Sequence, residues 1–256
     1  MRDPHVTAIR YKVGSVETIS YDNPKPMSFS NHLGEFSLSN GTLRITPAEH
    51  FADEKETRTA IEPFLRAWEI STDLNSNFGM IRFEFECVEL VDRAPRPPGG
   101  SIVVTLEGAS MILMGSSAVL RLTCREYPNP PTAFSATPEV MHAYRRWLRY
   151  REGNEPLQSM TYFVLTLLES AAGGRQLASR TFQIHVDILN MMGRLSSTKG
   201  DAMTARKASS PNQFQDLSLA EKQWLEEAVR CAIRRLGEHA SGAQGTVINM
   251  ANLPQV

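Results

Sequence analysis

EYPNPPTAFSATPEV, residues 126–140, is where the sequence changes character. Upstream of it apolar residues recur at period two; downstream they recur at the period of a helix. Pro128, Pro130 and Pro131 make a stiff connector, because each fixes one backbone dihedral and removes an amide donor. Thr137-Pro138-Glu139 then opens a helix: a capping hydroxyl, a first-turn proline that forfeits no intrahelical bond, and an acid favoured by the helix dipole. The stretch predicts an α+β protein in two parts. Residues 1–134 form a β-rich recognition domain, an antiparallel β-sandwich or barrel with one short helix. Residues 135–256 form a bundle of about four helices with an extended C-terminal tail.

Working upstream, AVLRLTCRE alternates Leu120, Leu122 and Cys124 with Arg121, Thr123 and Arg125. MIRFEFECVEL alternates Ile81, Phe83, Phe85 and Cys87 with Arg82, Glu84 and Glu86. Each reads as a half-buried strand with one dry face. In EFSLSNGTLRITP, Asn40-Gly41 separates Phe36/Leu38 from Leu43/Ile45; Asn-Gly tolerates the positive φ angles of a tight turn, so a hairpin is predicted. Further strands are expected at Val6–Val13, Val16–Tyr21, Phe64–Thr72, Ile102–Glu107 and Ser110–Met114. Thr46-Pro47-Ala48-Glu49 has the form of a capping box with a first-turn proline, which predicts a short helix from Pro47 to about Thr57. Pro63 argues against extending that helix into the Trp68 strand.

Working downstream, the first helix places Val140, Tyr144, Trp147 and Leu148 on one face. Glu155–Ala172 is apolar nearly all round and ends at Gly173-Gly174, the pattern of a helix at the centre of a bundle. A third helix is expected from Gln176 to Leu195. Ser218-Leu219-Ala220-Glu221 is a capping box that opens the last. The tail, GAQGTVINMANLPQV, is expected to be extended and anchored by Val247, Ile248 and Leu253. Trp68 and Trp147 sit at apolar positions and read as core.

The formal net charge is -1, so bulk charge points to no partner. The first half is net acidic and the second net basic, which permits contact with RNA without indicating it. Cys87, Cys124 and Cys231 are far apart, with no Cys-x-x-Cys pair, and read as reduced thiols. MRDPHVTAIRYKVG has no apolar core of signal-peptide length, and Met160–Leu168 is too short to span a bilayer, so the expected compartment is the cytoplasm, with no membrane partner. Gly193–Gly200 lacks the glycine before Lys199 that a phosphate loop needs, and it follows a helix rather than a strand. AEHFADEKE gathers Glu49, His50, Asp53, Glu54 and Glu56, with His32 the nearest further ligand in sequence. First-turn acids are already explained by the helix dipole, so no metal and no cofactor is expected.

CAIRRLGEHASG, residues 231–242, is the one stretch that suggests chemistry. Leu225, Ala228, Ala232 and Leu236 give its helix a core stripe. Arg230 and Arg234 lie on a wetter side, with Glu227 and Glu238 at ion-pair spacing. A helical bundle with Arg-x-x-x-x-His on its last helix resembles the HEPN superfamily of prokaryotic toxins and defence proteins, many of them metal-independent ribonucleases that dimerise around a composite cleft. The resemblance covers only the second half. It implies that Arg234 holds the scissile phosphate and that His239 moves protons during attack by the RNA 2′-hydroxyl. Five positions on a regular helix turn about 140°, so the two side chains converge only if the turn distorts, and Gly237 is where it could. Arg230, Arg235, Lys199, Arg206 and Lys207 are further candidates for ligand or nucleic-acid contact.

With no convincing catalytic constellation, the reading favoured is a non-catalytic recognition, regulatory or interaction protein. Its partner is a protein or a small ligand, and its helical half packs or dimerises. A HEPN-like ribonuclease and a structural subunit of a larger assembly are the alternatives.

Overall fold

The computed structural model describes residues 3–14, 19–75, 81–94, 104–107, 122–200 and 215–255. The chain divides into two units, Met1–Pro131 and Thr132–Val256. The division falls within the proline connector, three residues before the sequence boundary at 134. Local bonds account for it. Tyr127 is buried in the core of the first unit and its hydroxyl accepts the Gly41 amide at 2.9 Å. The Pro128 carbonyl accepts from Trp68 Nε1 at 3.1 Å. Phe134, by contrast, packs on Gly237, and the Ser135 amide donates to the Gly237 carbonyl at 2.9 Å.

In the first unit, β1 (Pro4–Gly14), β3 (Met27–Asn31), β4 (Gly34–Ser39), β5 (Thr42–Pro47), β6 (Arg82–Asp92) and β7 (Val104–Glu107) form one antiparallel sheet in the order β3-β4-β5-β1-β6-β7. A two-stranded parallel ribbon joins β2 (Ile19–Lys25) to β8 (Leu122–Glu126). Among the described residues the sheet ends on β3 and β7 and does not close into a barrel. One face is covered by the helix α1 (Glu54–Asn75): Ile61, Leu65 and Trp68 share a single core with Ile9, Tyr11, Phe36, Leu38, Leu43, Ile45 and Val88. The predicted hairpin is present, with Ser39 opposite Thr42 and φ of +50° and +74° at Asn40 and Gly41.

Three expectations fail here for physical reasons. The capping sequence at Thr46 opens no helix, because Thr46 is paired with Glu35 on β4 and the ladder continues to Pro47. The working cap is Asp53, whose carboxylate accepts the Glu56 amide at 2.8 Å while Glu56 accepts the Ala52 amide at 3.2 Å. Residues 64–72 are then helix, not strand, and α1 runs straight through Pro63. Ile61, Leu65, Trp68 and Thr72 recur at helical spacing and are all buried. Burying a side chain such as Trp68 or Leu65 is worth roughly 1.5–3 kcal/mol, and several such gains together exceed the cost of one proline. Finally, the alternation of β6 is broken. Its pairing with β1 jumps from Arg10–Cys87 to Tyr11–Phe85, skipping Glu86. This bulge puts Phe83, Val88 and Leu90 into the core and turns Cys87 and Glu89 to the other face. The strand expected at Ser110–Met114 lies outside the described residues.

The second unit contains α2 (Pro138–Arg151), α3 (Leu157–Ala172), α4 (Arg175–Thr181), α5 (Val186–Thr198) and α6 (Leu219–Ala240). Thr137 caps α2, and Ser218 and Glu221 form the predicted capping box of α6. The apolar α3 touches each of the other four helices. The expected third helix is two helices, broken over residues 182–185. Gln183 takes φ +53°, and the C-terminal tail pairs with the freed backbone: the Ile248 amide donates to Gln183 O at 2.8 Å and the His185 amide to Ile248 O at 2.8 Å. Ile248 and Leu253 anchor the tail, whereas Val247 is exposed.

Candidate functional site

Helix α6 carries most of the residues that suggest chemistry. Its stripe of Leu225, Ala228, Ala232 and Leu236 is buried, and it stays helical through Gly237 to Ala240. Gly237 does not end the helix; it seats Phe134, whose ring occupies the space a Cβ would need. Arg234 and His239 therefore sit about 140° apart around a continuous helix. They also meet different neighbours. Arg234 Nε lies 3.6 Å from Glu238, and Nη2 3.6 Å from Cys231 Sγ. The exposed His239 ring meets Phe182 edge-on, with centroids 5.1 Å apart. Burial, reinforced by Glu227, pushes the Cys231 thiol up to about 11, which keeps it protonated near neutrality.

Of the basic residues expected to make contact, the three that lie among the described residues are held by carboxylates. Arg230 pairs with Glu227 at 3.1 Å. Lys199 pairs with Glu221 at 3.2 Å and so ties the end of α5 to the cap of α6. Arg235 is 8% exposed, donates to Glu238 at 2.6 Å and also donates to the Thr246 carbonyl. Through these two bonds it clamps the tail against α6. Arg206 and Lys207 lie outside the described residues.

The acidic segment around His50 is also spent locally. Asp53 and Glu56 cap α1, while His50 precedes the helix and meets His5 with 2.8 Å between their Nδ1 atoms. Among the described residues no group of three or more metal-ligating side chains converges.

The first unit presents a surface that composition did not single out. On the face of the sheet opposite α1, β3, β4 and β5 carry Ser28, Ser30, Glu35, Ser37, Arg44 and Thr46 around a depression of about 370 Å³ whose lining also includes Phe29 and Phe36. The pairings Ser28–Ser37, Ser30–Glu35, Ser37–Arg44 and Glu35–Thr46 place these side chains in facing rows. Glu89 accepts from both Arg10 and Arg44, extending the polar face across β1 and β6. A signal existed in the sequence: serines alternate with Phe29 in MSFSN and with Phe36 and Leu38 in GEFSLS. β3 is an edge of this sheet among the described residues, so one side of its backbone ladder has no strand beside it.

Compared with family models, with curated proteins and with solved structures, the chain matches none of them.

Proposed function

We propose that the protein is a recognition and interaction protein whose first unit reads an extended, polar segment of a partner protein. One observation carries the reading: the hydroxyl-lined depression on β3–β5 lies beside the edge strand β3. Addition of a partner strand would satisfy the ladder of β3 through main-chain bonds, and the rows of Ser28, Ser30, Glu35, Ser37 and Arg44 would select its side chains. The rigid core beneath, from Phe36 to Trp68, holds this surface in one shape. The test uses a variant in which lysines replace the two outward serines of β3. Proteins retained by the wild-type chain from its native host should be lost with Ser28→Lys/Ser30→Lys. Equal retention by both chains refutes the reading.

The same preparation tests the ribonuclease that the resemblance of the second half implies. Incubated with mixed cellular RNA in EDTA, the wild-type chain is expected to leave the RNA intact. Cleavage that disappears in folded Arg234→Ala and His239→Ala variants would establish the enzyme instead.

A further inference from the structure

The segment that joins β5 to α1 passes the start of β1, where the Val6 amide donates to the Phe51 carbonyl at 2.9 Å. That bond holds the residues just before each of them, His5 and His50, side by side. Their Nδ1 atoms lie 2.8 Å apart, their rings are within 9° of parallel and the ring centroids are 4.9 Å apart. Two ring nitrogens closer than the thickness of a stacked pair place the rings edge to edge, nitrogen towards nitrogen. His5 is half-buried and His50 exposed, so solutes reach the pair.

Neutral imidazole is the commonest protein ligand of first-row transition metals. Such a nitrogen lies about 2.0–2.1 Å from its ion, so two of them 2.8 Å apart subtend roughly 84–89° there. A tetrahedral ion such as zinc would need them about 3.3–3.4 Å apart. A right angle is the cis angle of a square-planar or tetragonal ion, the geometry of Cu(II) and Ni(II), and of the two copper binds nitrogen ligands more tightly. In the hydrogen-bonded pair one ring donates its Nδ1 proton to the other. With that proton moved to Nε2 of the same ring, both Nδ1 atoms present lone pairs, and the neutral pair loses no proton. The charge of Asp3 beside His5 favours a cation and that of Arg93 opposes it. Among the described residues no third side chain converges, so water takes the remaining positions on the ion.

We propose that His5 and His50 form a two-histidine site for Cu(II), open to solvent on its other sides.

The test starts from the full-length chain stripped of metal with a chelator and titrated with Cu(II), followed by calorimetry and by electron paramagnetic resonance. One tight equivalent with the hyperfine pattern of two imidazole nitrogens is expected. Because the second imidazole binds intramolecularly, its loss should weaken that equivalent by about tenfold or more, in His5→Gln and in His50→Ala alike. His50 is exposed and lies outside helix and strand, so His50→Ala leaves the fold intact and decides the matter even if His5→Gln does not. His142→Ala, on the exposed side of α2, should bind copper as the wild type does. Unchanged affinity in His50→Ala, an equal loss in His142→Ala, or zinc bound as tightly as copper overturns the proposal.

Discussion

At the scale of single residues, the second unit depends on a missing methyl group. In an ordinary helix interior, replacing glycine by alanine gains about 1 kcal/mol. At Gly237 the sign should reverse, because the new Cβ would overlap the edge of the Phe134 ring, 2.7 Å from its Cδ2. Gly237→Ala is expected to cost about 1–3 kcal/mol in chemical denaturation, the range of an overpacked core. Phe134→Leu in the same chain should recover part of the loss. The His5–His50 pair gives the first unit a dependence on pH. At an Nδ1–Nδ1 distance of 2.8 Å, one ring donates and the other accepts, so at least one is neutral. Burial, then Arg93 and His50, lowers the His5 pKa from its ordinary 6.5, with Asp3 opposing. A histidine that is harder to protonate when folded binds its proton first in the unfolded chain. Its contribution is thus complete above about pH 6.5 and is lost as the pH falls through that value towards the lower folded pKa, below which the dependence flattens. Stability measured across this range should fall on acidification in the wild type and fall less in His5→Gln. An unchanged slope in the variant would assign the dependence elsewhere.

At the scale of elements, what could be read from the sequence is what is decided locally. The Asn40-Gly41 turn, the Thr137 cap and the Ser218 capping box each involve neighbours in the chain, and each forms as written. The segment from Thr46 to Thr72 is ambiguous in the sequence because its signals compete. Thr46 could cap a helix or pair with Glu35, and pairing inside a sheet of several strands wins. The break at residues 182–185 was invisible because its partner, Ile248, lies at the far end of the chain. Pro63 offers a direct check. It is exposed inside α1, so it contributes little packing while denying the Thr59 carbonyl its helical donor. Pro63→Ala should restore that bond. The gain, up to about 3 kcal/mol for an interior proline, is offset by about 1 kcal/mol of added freedom in the unfolded chain. A net stabilisation of about 1–2 kcal/mol is expected in urea titration. Destabilisation would mean that the proline fits a bend the helix needs.

At the scale of the whole molecule, the change of period around residues 126–140 conveyed the mixed α+β class and a two-part chain, but not what covers the sheet. Period-two alternation reports that a sheet has a dry face; it does not say whether a second sheet or a helix lies on it. Here the cover is α1, whose own period was hidden by Pro63. The candidate sites were less legible still. Arginines and lysines stand out in a sequence, but Arg230, Arg235 and Lys199 are consumed by Glu227, Glu238 and Glu221. The serines of β3 and β4 carry no such mark in the sequence, because their significance comes from register. The connector makes the last prediction. Tyr127 and Pro128 bond within the first unit, while Phe134 and Ser135 bond to Gly237 in the second. A fragment of residues 132–256 should therefore fold alone, with helical circular dichroism and one cooperative thermal transition. A fragment starting at Ala136 keeps every helix of this unit and the Thr137 cap but lacks Phe134. It should be less stable by about 3–5 kcal/mol, the usual loss when a buried phenylalanine is removed. Two fragments of equal stability would show that Phe134 is dispensable and that the second unit begins at its first helix.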